Sequence, residues 1–101
     1  MTGPARTEGR GASGRPDGLG GTVPRAVAGD GIARFVASAA RSSRTLQQCG
    51  FSGVELSCGH GHLFHQFLSP WSNRRDDHYG GDLAGRTRLV AELIPAIRAE
   101  C

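Results

Sequence analysis

Residues 52–62 read SGVELSCGHGH. In the first five, Val54 and Leu56 fall on one side of an extended chain and Glu55 on the other, the two-residue period of a short buried strand. Ser57, Cys58, His60 and His62 follow at once. The stretch from 60 to 81, HGHLFHQFLSPWSNRRDDHYGG, holds all four histidines of the chain, its only Trp and its only Tyr. Side chains able to do chemistry are thus gathered where a single strand ends.

Working outward, the upstream segment IARFVASAARSSRTLQQCGF places Ile32, Phe35, Val36, Ala39, Ala40 and Leu46 at the three-to-four spacing of one helical stripe. Asp30 is the expected N-cap, and Gly50 followed by Phe51 the expected glycine C-cap with its apolar contact. Downstream, HLFHQFL is short and runs into Ser69-Pro70, so it reads as loop with a single helical turn. A second amphipathic helix is expected from Asp82, with Leu83, Val90, Leu93, Ile94 and Ile97 on one face. Pro95 removes a backbone bond to Ala91 and is expected to kink the helix or end it near 94. Between these elements, Asn73-Arg74-Arg75-Asp76 and Tyr79-Gly80-Gly81 are loop-shaping residues, Asn and Asp holding turns through backbone bonds.

Residues 1–31, MTGPARTEGRGASGRPDGLGGTVPRAVAGDG, show neither apolar period. Such a leader buries too little apolar surface to offset its ordering entropy and is expected to be disordered. All twelve basic residues of the chain are Arg, the net charge is +3, and the arginines are scattered rather than gathered with aromatics on one face. That distribution argues against a nucleic-acid partner. No secretory signal or stretch of membrane-spanning length is present, so no membrane partner is expected. The three cysteines, Cys49, Cys58 and Cys101, are odd in number and form no CxxC pair. A cytoplasmic setting with free thiols is the expectation.

The order helix, strand, long loop, helix belongs to an alternating α/β fold, yet one strand cannot make a sheet. A parallel strand needs neighbours for its backbone groups and helices over its faces. The remaining residues, about seventy, fall below the size at which a core supplies more than a few kcal/mol. On physical grounds alone, the chain reads as a fragment of a larger fold.

The run GFSGVELSCGHGHLFHQFLSPWSNRRDDHYGGDLAGRTRLVAELIPAIR resembles the middle of the old yellow enzyme family of FMN-dependent oxidoreductases, with its NADH oxidase and 2,4-dienoyl-CoA reductase branches. GxxGVE, HGxLxxQFLSPxSNRRxDxYGG and an Arg-containing helix start carry the likeness, which covers Ile32–Cys101. The resemblance implies a (β/α)8 barrel, of which only the part around the fourth strand is present; such barrels run to about 250 residues. Residues 32–101 would then be a truncated piece of that domain, completed only by the rest of the barrel.

By the same resemblance, the parent enzyme takes FMN as cofactor and NAD(P)H as electron donor, and reduces an activated alkene or enoyl substrate, a small molecule. Two side chains three apart hold the substrate's carbonyl oxygen, and a Tyr two positions after the second protonates the α-carbon. Those positions are Ser57 and His60, then His62. Ser57 donates one hydrogen bond but carries no charge; the dienoyl-CoA reductase branch also lacks His there. His62 replaces a phenol with an imidazole, a general acid suited to neutral pH. The resemblance assigns no flavin-binding residue in this segment. A non-catalytic remnant of such an enzyme is the alternative. A second alternative is a small metal-binding protein using Cys58, His60, His62, His65 and His78, but C-x-H-x-H-x-x-H matches no structural zinc spacing.

Overall fold

The computed structural model describes residues 10–14 and 25–101. Two strands of two residues each, β1 (Arg10–Gly11) and β2 (Arg25–Ala26), pair in parallel. Three helices follow: α1 (Gly29–Gln48), α2 (Leu63–Leu68) and α3 (Leu83–Glu100). Helix α1 packs along α3, while α2 packs against both α3 and β1. The core gathers where these elements meet: Ala12, Ile32, Phe67 and Leu89 are at most 1% exposed, with Val27, Phe35, Val36, Leu63, Phe64 and Tyr79 packed around them. Phe35 and Phe64 meet edge to face at 5.9 Å, one of the favoured geometries for aromatic pairs.

Both ends of the helical frame are set locally. At the end of α1, the Phe51 N–H donates to the Leu46 carbonyl (3.1 Å) and the Gly50 N–H to that of Gln47 (3.0 Å). With Gly50 at φ 98°, this is a Schellman motif, and a side chain there would be strained. At the start of α3, the Asp82 carboxylate accepts from the Gly85 N–H at 2.9 Å, the expected cap. The start of α1 differs from expectation. Its N-cap is Ala28, which offers no side-chain bond. Asp30 lies inside the first turn, accepting from the Gly31 N–H (2.9 Å) and pairing with Arg34 on the surface.

Other expectations are corrected. Residues 51–62 hold no strand: 51–59 have no regular secondary structure, and no backbone N–H from 52 to 61 bonds another backbone group among the described residues. The alternation of Val54, Glu55 and Leu56 suits a strand, but no neighbouring strand stands beside it, and Val54 is 41% exposed. The described residues thus form a mostly helical unit rather than helix-strand-loop-helix. Helix α3 runs through Pro95 to Glu100 instead of ending near 94. Pro95 and Ala91 both lie on the exposed side, where water can solvate the carbonyl that the proline leaves unpaired. The buried stripe of α3 is Gly85, Leu89 and Leu93; Leu83 and Ile94, expected on it, are exposed. The segment HLFHQFL folds as the six-residue helix α2.

The expected boundary between leader and domain at 31/32 falls inside α1. Within the leader, residues 1–9 and 15–24 lie outside the described residues. The described ones are held by the body: Ala12 is fully buried, its carbonyl accepts from Arg75 at 2.9 Å, and the Ser13 hydroxyl accepts from the Arg74 N–H at 2.8 Å. Contacts so distant in sequence leave no local pattern to read. Among the described residues, no helix is long and apolar enough to cross a membrane.

Candidate functional site

The segment from 51 to 62 leads Ser57, Cys58, His60 and His62 to the start of α2. Ser57, His60 and His62 are exposed, Cys58 is half-buried, and none of their side chains makes a hydrogen bond among the described residues. The turn that carries the histidines is tightly shaped. His60 sits at φ 64° and Gly61 at φ 74°, two left-handed residues in succession. For His60 this conformation costs on the order of 1–3 kcal/mol and persists only where its surroundings hold it. His62 is the N-cap residue of α2; its side chain makes no capping bond, and its carbonyl accepts the helix's first bond, from the Gln66 N–H at 2.9 Å.

Behind this turn, a polar loop ties α2 to α3. Asn73 is 5% exposed and fully engaged. Its amide donates to the carbonyls of Phe67 (2.7 Å) and Tyr79 (2.8 Å), and its side-chain oxygen accepts from the Arg75 N–H (3.0 Å). The loop-shaping role expected of Asn73 is therefore met. The acid that holds the turn is Asp77, not Asp76. Arg75 reaches both Asp77 oxygens, at 3.0 and 2.6 Å, and its guanidinium lies over the Phe67 ring at 5.4 Å. The Arg75 hydrogen bonds hold the Asp77 carboxyl below its usual range, against a smaller opposing effect of burial. The Tyr79 hydroxyl donates to Glu92 at 2.7 Å, and that bond raises the phenol above its ordinary value, with burial adding to it. A Cβ on Gly85 would collide with the Gly80 carbonyl, so the loop and the first turn of α3 touch backbone to backbone.

The exposed histidine turn and the loop held by buried Asn73 and the Arg75–Asp77 pair are therefore different in kind. The loop is closed on itself, whereas the turn leaves its polar groups available. Two cavities of about 400 and 570 Å³ lie elsewhere. One is lined by Ile32, Phe35, Leu63 and Leu89, the other by Ala12, Val27 and Arg75. Neither is lined by Ser57, His60 or His62. Among the described residues, no three His, Cys, Asp or Glu side chains gather to hold a metal ion, so Cys58, His60, His62, His65 and His78 do not converge.

Comparison with known proteins gives consistent matches. The family model described as "NADH:flavin oxidoreductase / NADH oxidase family" matches residues 21–101, beginning inside the segment expected to be a leader. The NADH-dependent flavin oxidoreductase iccE of Talaromyces variabilis is 51% identical over 78 residues, which are 77% of this chain and 19% of that protein. Among solved structures, morphinone reductase superposes with a TM-score of 0.85 at 26% identity, covering 95% of this chain and 30% of that one. A 2-naphthoyl-CoA reductase in complex with 2-naphthoyl-CoA gives a TM-score of 0.85 at 30% identity, covering 92% of this chain and 14% of that one. The chain spans less than a third of each of these relatives.

Proposed function

Because the chain belongs to the NADH:flavin oxidoreductase / NADH oxidase family, we propose that it carries the substrate-side turn of an FMN-dependent, NAD(P)H-driven reductase. The substrate class would be activated alkenes or enoyl compounds. The observation that carries the reading is the turn itself. Three side chains that donate hydrogen bonds or protons, Ser57, His60 and His62, stand exposed and, among the described residues, unbonded beyond a segment with a strand's apolar pattern. In parallel barrels of this kind, substrate is met at the C-terminal ends of strands.

The roles follow from the chemistry of each group. Ser57 and His60 hold the substrate's carbonyl oxygen and draw charge toward it, which makes the conjugated alkene a better acceptor. His62, protonated, delivers a proton to the α-carbon as general acid. A serine at position 57 suits the acyl-CoA side of the family, and the similarity to a 2-naphthoyl-CoA reductase supports enoyl thioesters as the substrate.

The described residues do not by themselves fit a flavin. Residues 52–62 contain no Arg or Lys for its phosphate. Arg75 is engaged by Asp77 and Ala12, and Arg86 by the carbonyls of Leu68 (2.9 Å) and Gly81 (2.7 Å). FMN binding thus requires groups from other segments of a barrel, and the 101-residue chain alone is expected to purify without stoichiometric flavin absorbance.

The test is a graft of residues 29–101 into a full-length relative. His62→Phe should slow alkene reduction by roughly 10²–10⁴-fold, the usual scale of a lost general acid, while flavin reduction by the nicotinamide changes little. His62→Tyr should restore alkene reduction. If His62→Phe leaves it intact across the pH range, the proton comes from elsewhere and the non-catalytic remnant becomes the better reading.

A further inference from the structure

The histidine turn has an unusual support. Gly61, the residue between His60 and His62, is gripped on both sides of its backbone by side chains of α2. Its N–H donates to Nδ1 of His65 at 2.9 Å, and its carbonyl accepts from Nε2 of Gln66 at 2.9 Å. Helix α2 is in turn fixed to the body: Phe67 is buried in the core, and the Ser72 hydroxyl donates to the Gln66 carbonyl at 2.9 Å. Among the described residues, the side chains of Ser57, His60 and His62 make no bond of their own. The two bonds to Gly61 therefore connect the left-handed pair, His60 at φ 64° and Gly61 at φ 74°, to the packed part of the molecule.

We propose that His65 and Gln66 are positioning residues: together they clamp the Gly61 peptide and so set the directions in which His60 and His62 present their imidazoles. The clamp rests on the functional reading above only for its purpose; its geometry stands apart from it. The bonds dictate the state of each member. His65 must be neutral with its proton on Nε2, because Nδ1 accepts, and a second proton would remove the acceptor. Gln66 must donate through its amide, so a carboxylate at that position would fail. Apart from the clamp, the turn is closed among the described residues by a long bond from the His62 N–H to the Gly59 carbonyl (3.5 Å), too weak by itself to keep a non-glycine residue left-handed.

The test is NMR spectroscopy of the full 101-residue chain. Three results are expected of the unmodified chain: a Gly61 amide in slow exchange, His65 with the nitrogen shifts of the Nε2–H tautomer, and couplings that place His60 at positive φ. In His65→Ala, the Gly61 amide should exchange roughly tenfold faster, the scale of one hydrogen bond, and His60 should return to negative φ. The α2 carbon shifts should stay helical, which separates loss of the clamp from loss of the helix. His65→Asn, whose side-chain oxygen can stand where Nδ1 stood, should rescue both readings. Gln66→Leu and Gln66→Glu should each release His60. His62→Phe, the variant that tests the functional reading, should alter none of these signals, so either idea can fail without the other. The proposal is overturned if Gly61 exchanges freely in the unmodified chain or His65 carries its proton on Nδ1. It is equally overturned if His60 keeps its conformation in both His65→Ala and Gln66→Leu.

Discussion

The α1–α3 frame and the segment from 51 to 62 are adjacent in sequence and opposite in physical character. The frame holds the packed residues and the finished helix ends: Ile32, Leu89 and Leu93 are at most 1% exposed, although Leu83 and Ile94 stay open, and a Schellman motif and an aspartate cap finish helix ends. The segment leaves Phe51 61% and Val54 41% exposed, and its backbone has no ladder partner among the described residues. It is also the part that carries Ser57, His60 and His62. Under the proposed function, stability and chemistry are divided between these two regions.

Substitutions in the two regions should differ most in stability. Leu89→Ala removes a buried side chain that packs with Ile32 and Phe67 beside the 400 Å³ cavity, and should cost about 2–5 kcal/mol. That is enough to abolish cooperative unfolding in a unit of this size. Val54→Ala, at a position that packs against little, should stay within about 0.5 kcal/mol. Urea denaturation followed by circular dichroism reads both, and equal costs would erase the distinction.

The polar loop behind the turn should behave as part of the frame. Asn73→Ala leaves the buried carbonyls of Phe67 and Tyr79 without their donor and should cost about 1–3 kcal/mol, measured the same way. Asp82→Ala removes the cap of α3 and should cost about 1 kcal/mol. A cost near zero for Asn73→Ala would place the loop with the exposed segment instead.

The smallest effects are those of pH. Asp77 is held below the ordinary carboxyl value of about 3.8 by Arg75. Its folded form binds the proton less tightly than its unfolded form, so the stabilisation is present above that value. It is lost as pH falls through the lower folded value. Tyr79 is raised above 10.0 by its bond to Glu92, so its contribution is full below that pH and is lost as pH rises through the folded value. Both groups are near the surface, where solvent screens them. Asp77→Asn should flatten the acid limb of the stability profile, and Tyr79→Phe the alkaline one.

What could be read from the sequence was whatever a few neighbouring residues decide. The Gly50–Phe51 ending and the Asp82 cap depend on bonds spanning three to five residues, and both were legible. The family resemblance was legible because GVE and HQFLSPxSNRR are long, specific strings, and Ser57, His60 and His62 followed from them. The burial of Ala12 was not legible, since it depends on Arg75, sixty-three residues away. Nor was Leu89, because the apolar residues of α3 outnumber the side that α1 and α2 cover. The strand expected at SGVEL is absent, because an alternating pattern does not supply the partner that makes a strand. The grip of His65 and Gln66 on Gly61 was hidden because it depends on left-handed backbone at His60, which no local propensity announces.

Amide hydrogen exchange on the full chain, residue by residue, tests the division most directly. Amides in the middle of α1 and α3 should exchange slowly, those from Ser52 to Cys58 at close to the rate of an unstructured peptide, and Gly61 alone in the turn should be slowed. Protection of Ser52–Cys58 comparable to that of the helices would contradict the account, because it would mean that the segment has already found its partners.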